Sequence, residues 1–170
     1  PVKLSEGFTP RKLSSVIEIN PIKDVGLVPD EKVAIRMPIL IDSSFFYGTC
    51  ISMGNPHCIV FVDDVDSFPV EKYGPLFENN RLFPERINTE FIQVVDETHI
   101  KMRVWERGSG ETFACGTGAS ASVVACVLNN KTEDEVTVSL LGGDLKIRWD
   151  REQNTVFMTG SATTVFEGEI

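Results

Sequence analysis

Apolar and polar residues alternate most regularly over His99–Glu106, where Ile100, Met102 and Val104 share one face and predict a strand. The same alternation carries Glu106 onto that apolar face, where a carboxylate is costly without a partner. Arg103 and Arg107 point the other way unless the strand ends between Glu106 and Arg107. Cys58–Val62 is an unbroken apolar run of the length of a buried strand. Further strands are predicted over residues 16–19, 33–37, 45–52, 90–95, 155–159 and 164–166, with Pro38 stopping the second of these. A hairpin over residues 136–149 is predicted to turn at Gly142-Gly143. Thr117–Leu128 reads differently. It is apolar nearly all round, with Ser120 and Ser122 its polar positions, and its small residues predict a buried helix in a tight enclosure. A second helix is predicted from near Pro69 to about Asn80, capped by the acidic run at 63–67 and weakened by Gly74-Pro75. These elements add up to an α+β fold, a mostly antiparallel mixed sheet or barrel wrapped around one buried central helix.

Composition bounds this picture. A chain of 170 residues suits one domain. Its net charge of −9 argues against nucleic acid or an anionic membrane as partner, but leaves room for an anionic small molecule held by local donors. No apolar run reaches the ~20 residues of a membrane span, and no secretory signal pattern opens the chain, so a cytoplasmic location is expected. No methionine opens it either, and a piece of something longer is expected. The cysteines, Cys50, Cys58, Cys115 and Cys126, lack C-x-x-C spacing, and there are 2 histidines, so reduced thiols and no zinc site are expected.

The candidate chemistry gathers in Trp105-Glu-Arg-Gly-Ser-Gly-Glu-Thr-Phe-Ala-Cys-Gly-Thr-Gly-Ala-Ser120. The order predicts a strand, a tight loop, and a helix whose start presents Cys115. Amides and the helix dipole at that start favour a thiolate, and Gly116, Thr117 and Gly118 leave the amides open to a carboxylate or phosphate. A buried structural cysteine is the competing reading. Glu106-Arg107 offers a carboxylate for an ammonium and a fork for a carboxylate, or it is a plain surface pair. Asn55 and His57 flank Pro56 in a turn. The turn accounts for Asn55 but not for His57, which can tune a neighbouring thiol. Asn88 reads as a turn residue before a strand. Cys50, Cys58 and Cys126 read as core. A Cys–His hydrolase built from Cys115 and His57 stays open.

Three separated stretches, in order, resemble the diaminopimelate epimerase family. They are Met53-Gly-Asn-Pro-His57, Ile87-Asn-Thr-Glu-Phe-Ile-Gln93 and Glu106-Arg-Gly-Ser-Gly-Glu-Thr-Phe-Ala-Cys-Gly-Thr-Gly-Ala119. Met158-Thr-Gly-Ser-Ala-Thr-Thr-Val-Phe-Glu-Gly168 is similar to the family's ending, and the match runs from about Val33. The resemblance implies cofactor-free inversion between LL- and meso-diaminopimelate, an amino dicarboxylate of lysine and peptidoglycan precursor biosynthesis. Two cysteines work on opposite faces of the α-carbon. By resemblance Cys115 is the second catalytic cysteine. Gly116 and Thr117 hold the α-carboxylate, Asn55, Asn88 and Arg107 grip the distal end, and Glu106 and His57 contact the ammonium or tune the thiols. The family has two similar lobes, and its first cysteine lies in a Met-Cys-Gly-Asn-Gly segment that these residues do not contain. The chain is therefore expected to be the C-terminal lobe at 31–160, with 1–30 linking from the other lobe and 161–170 returning to it as a final strand. Its expected partners are the small-molecule substrate, the other lobe and a homodimer mate, and alone it is expected to be inactive. A proline-type racemase of the same fold and a non-catalytic binding module are the alternatives.

Overall fold

The structure is a computed structural model that describes residues 2–3, 34–162 and 168. The strands predicted at 16–19 and 164–166 lie outside the described residues. Among the described residues no helix is long and apolar enough to cross a membrane.

The chain runs β1 (Val2–Lys3), β2 (Met37–Ile41), β3 (Ser44–Ser52), β4 (Pro56–Phe61), α1 (Val70–Glu78), β5 (Asn88–Asp96), β6 (His99–Glu106), β7 (Gly110–Thr112), α2 (Gly116–Leu128), β8 (Glu135–Leu140), β9 (Gly143–Asp150) and β10 (Thr155–Gly160). One mixed sheet holds them in the order β1-β10-β9-β8-β6-β5-β4-β3-β2, with β7 on β6. Among the described residues two pairs are parallel, β4 with β5 and β6 with β8. Each is bridged by a helix, α1 for the first and α2 for the second, as a parallel pair requires. The fold is α+β.

Alternation along the strands divides the core into two faces. Ile59, Ile92, Ile100, Met102 and Val104 pack with α2, whereas Cys58, Val60 and Phe91 pack with α1. Helix α2 is buried from Gly118 to Val127 and touches strands from β3 round to β10, so the sheet wraps it. Small side chains let it: Ser120 and Ser122 turn their hydroxyls onto the carbonyls of Gly116 and Gly118, at 3.0 and 2.7 Å, and cost the enclosure little.

Several expected boundaries move. Pro38 does not stop a strand; it lies inside β2, which among the described residues is an edge of the sheet, where a missing N–H goes unpaired without loss. The acidic run at 63–67 does not cap α1. The helix begins after Pro69 with no side-chain cap, and Asp64 instead accepts from the Asp66 N–H and the Ser67 hydroxyl within its own turn. The β8–β9 hairpin turns one residue earlier than expected, at Leu141–Gly142, with Leu140 opposite Gly143. Strand β7 falls in a stretch that its glycines suggested was loop. It exists because β6 has a free side there before the chain enters α2.

Candidate active site

The first turn of α2 is the centre. Cys115 occupies its N-cap in an extended conformation, φ −141° and ψ 104°, and is 8% exposed. Its sulfur makes no close cap bond, but the Thr117 hydroxyl lies 3.6 Å away. That hydroxyl accepts from Asn55 Nδ2 at 3.3 Å, which ties the β3–β4 turn to the helix start. Gly54 in that turn has φ +102°, a conformation that glycine adopts freely.

The helix start was expected to favour the thiolate, and the balance goes the other way. Burial pushes the Cys115 thiol up. The Thr117 hydroxyl and the Gly118 amide pull it down, and the nearby carboxylates of Glu90 and Glu106 push it up again. The net direction is upward, so at neutral pH the sulfur carries its proton.

Glu106 ends β6 half-buried on the face of Ile100, Met102 and Val104, as the alternation predicts. Its partner is Thr112 of β7, whose hydroxyl donates to Oε1 at 2.5 Å. Arg103 faces the other way and forms a paired contact with Glu111, at 2.6 and 2.9 Å. Its Nη1 also donates to the Phe68 carbonyl at 2.8 Å. Arg107 lies beyond the strand end in the turn. Its N–H donates to Asn88 Oδ1 at 2.9 Å and its Nη1 to the Glu85 carbonyl at 2.9 Å. Asn88 in turn donates to the Pro56 carbonyl at 2.9 Å, so one buried amide joins the turn before β4 to the turn after β6. The underside is held by Glu78 at the end of α1. It accepts from Gly108 N–H at 2.9 Å, Trp105 Nε1 at 2.7 Å and Arg86 Nη1 at 2.9 Å.

His57 does not reach the surface. It is 0% exposed, as is Glu90, and its Nδ1 lies 2.6 Å from Glu90 Oε1. Among the described residues His57 Nε2 and Glu90 Oε2 have no hydrogen-bond partner. Each such buried group costs about 1–3 kcal/mol. The carboxylate also sets the residue beside it: a Cβ on Gly118 would lie 2.6 Å from Glu90 Oε1. Sequence reasoning passed over Glu90 because it sits inside an apolar strand. The signal was there in the alternation that flagged Glu106, since Glu90 shares a face with Ile92.

Of the expected site residues, Asn55, Thr117 and Cys115 form one contact chain and Asn88 and Arg107 another. Glu106 acts on Cys115 through its charge, and Gly116 is capped by Met158, whose sulfur would lie 3.0 Å from a Cβ there. Hollows of about 400 and 300 Å³ lie elsewhere, one beside Arg103, Glu111 and Phe113 and the other beside Arg36, Tyr47 and Lys131; Cys115 lines neither. Cys50 and Cys58 face each other across β3 and β4, and Cys126 lies in the core, its thiol pushed up to about 12 by burial.

Comparison with known proteins gives a consistent family. Residues 49–165 match the sequence model described as diaminopimelate epimerase. The diaminopimelate epimerase of Agathobacter rectalis is 57% identical over 147 residues, 86% of this chain and 52% of that protein. That of Acetivibrio thermocellus is 56% identical over 148 residues, 87% of this chain and 53% of that protein. The chain thus spans about half the length of the curated relatives it matches. Among solved structures, a Bacillus anthracis phenazine biosynthesis protein of the PhzF family aligns over 66% of this chain and 38% of its own, at 24% identity and a TM-score of 0.47.

Proposed function

Because the chain belongs to the diaminopimelate epimerase family, we propose that Cys115 is one of two proton-transfer groups in a cofactor-free inversion between LL- and meso-diaminopimelate. The observation that carries this is the placement of Cys115 at the N-cap of the buried helix α2, where burial and the nearby carboxylates of Glu90 and Glu106 push its thiol up. A thiol so placed can give its proton to an α-carbanion: a new C–H bond forms, the S–H bond breaks and a thiolate is left. The carbanion itself arises when a base on the opposite face removes the original α-proton.

The α-carboxylate docks on the Gly116 and Thr117 amides. Charge spreads into it as the α-proton leaves, and fixed dipoles stabilise that charge without reorganising. Glu106 offers its unshared oxygen to the substrate ammonium. The Arg107 fork and the Asn55 amide hold the distal carboxylate and ammonium, and Asn88 sets the height of Arg107 through its backbone. His57, buried, acts on the site from behind rather than by touching substrate.

Inversion needs a second acid/base on the other face of the α-carbon, and these 170 residues bring one thiol to the site. The isolated chain therefore binds at most half a substrate and does not turn over. The test is α-proton exchange of diaminopimelate in deuterated water. The expected result is no exchange by the chain alone, and exchange when a polypeptide covering the first half of a relative is added. Exchange by the chain alone, or exchange in the mixture that survives Cys115→Ala, overturns the reading.

A further inference from the structure

The pair behind Cys115 is not explained by packing. His57 and Glu90 are both fully buried, and among the described residues each keeps one polar atom unpaired. Apolar replacements of such buried pairs are often neutral or stabilising, so stability gives no reason for their presence. Glu90 is also the reason for a glycine. A Cβ at residue 118 would lie 2.6 Å from its Oε1 and 3.2 Å from its Cδ and Cγ. With glycine there, the carboxylate lies directly against the first turn of α2, the turn that Cys115 caps. Glu90 thus has an imidazole on one side and the reactive helix start on the other.

We propose that Glu90 is a positioning residue of this site: it holds His57 in the tautomer protonated on Nδ1 and fixes a negative charge behind the first turn of α2, so that Cys115 waits as the proton donor rather than as the base. This rests on, and deepens, the reading of Cys115 as a proton-transfer group. The tautomer follows from the contact. A carboxylate only accepts, so the proton between the two sits on Nδ1, while Nε2 faces no acceptor among the described residues. The charge effect follows from placement. A second negative charge beside a thiolate disfavours it, most strongly where water cannot screen the two. From β5 Glu90 acts in this direction, and from β6 Glu106 does too. From α2 itself the Thr117 hydroxyl and Gly118 amide oppose them. From β4 the facing titratable group is His57, which is engaged with Glu90, and β10 contributes the uncharged Met158. Glu106 is half-buried and shares an oxygen with Thr112, whereas Glu90 is sealed from solvent, where water screens its charge least.

The experiment is the pH dependence of Cys115 alkylation by iodoacetamide in the folded 170-residue chain, with the labelled site read by mass spectrometry. Glu90→Gln is expected to move the midpoint to lower pH and to raise the rate at neutral pH roughly tenfold. Glu90→Asp, which keeps the charge, is expected to return the profile towards that of the unsubstituted chain. An unmoved midpoint in Glu90→Gln, or a Glu90→Asp profile equal to that of Glu90→Gln, overturns the proposal while leaving Cys115 as an acid/base. The unsubstituted chain gives a second readout that depends on no variant folding. Nitrogen NMR of His57 is expected to show the proton on Nδ1 and a bare Nε2, and a proton on Nε2 overturns the proposal. A Cys115 that is unreactive at every pH overturns both this proposal and the function it rests on.

Discussion

On one face of the sheet α1 is packed by rings. Phe68 lies 4.5 Å from Phe91, Phe77 sits 5.4 Å from Phe46 and 5.7 Å from Phe91, and Tyr73 sits 5.2 Å from Phe46, mostly in edge-on or tilted arrangements. On the other face α2 presents Ala119, Ala121, Val123, Ala125 and Cys126, and shares its enclosure with a buried imidazole and carboxylate. The ring face is apolar and large in surface, the kind of packing that holds a fold. The α2 face gives up side-chain bulk so that polar groups can approach a helix start closely. Glu78 of α1 links the two: it holds the Trp105 indole and the Gly108 amide, and so steadies the turn that carries Glu106 and Arg107.

The sharpest way to separate the faces is to cut a ring. Phe77→Ala removes a fully buried side chain from the α1 core and is expected to cost about 3–5 kcal/mol, read as a lower urea midpoint. Cys115, at 8% the most exposed of the four thiols, is expected to be alkylated in preference to the others, and in the fraction still folded that preference should persist. If that preference disappears, the two faces are not independent.

A matched pair of glycines gives the next contrast. At Gly74 a Cβ would lie 2.4 Å from the Trp105 ring, and at Gly118 it would lie 2.6 Å from the Glu90 carboxylate. Each Gly→Ala change is expected to cost about 1–3 kcal/mol by overpacking. Only Gly118→Ala should change the pH profile of Cys115 alkylation. Equal profiles for the two variants would show that Glu90 does not communicate with the thiol.

The smallest expected effect is alkaline. The Cys126 thiol ordinarily ionises near 9, and burial on α2 raises it to about 12 in the folded chain. Below pH 9 both states keep the proton and nothing changes. Above it the unfolded chain loses the proton while the folded chain cannot, so stability falls as pH climbs from 9 towards 12. The loss by pH 10 is roughly 1 kcal/mol. The gap between urea midpoints at pH 8 and pH 10 should narrow in Cys126→Ala, with the remainder left to the raised thiols of Cys58 and Cys115. An unchanged gap would place the alkaline sensitivity elsewhere, with the buried Cys58 on the other face the next candidate.

The sequence by itself determined the helix that is apolar all round, the strand ending in Glu106, and the placing of Cys115 at a helix start. All three are local: periodicity and glycine placement need no knowledge of what lies opposite. It also determined that Glu106 wants a partner. It could not name Thr112 as that partner, because β7 exists only through pairing with β6. Tertiary structure decided the charge state of Cys115. A helix start alone favours the thiolate, but burial and two carboxylates from separate strands outweigh it. It decided the fate of His57 as well. The parallel pairing of β4 and β5, which sets Ile59 beside Glu90 across a helical crossover, brings the histidine to a carboxylate 33 residues away and seals both from solvent. Long-range register is a property of the folded sheet, and no short window of sequence contains it.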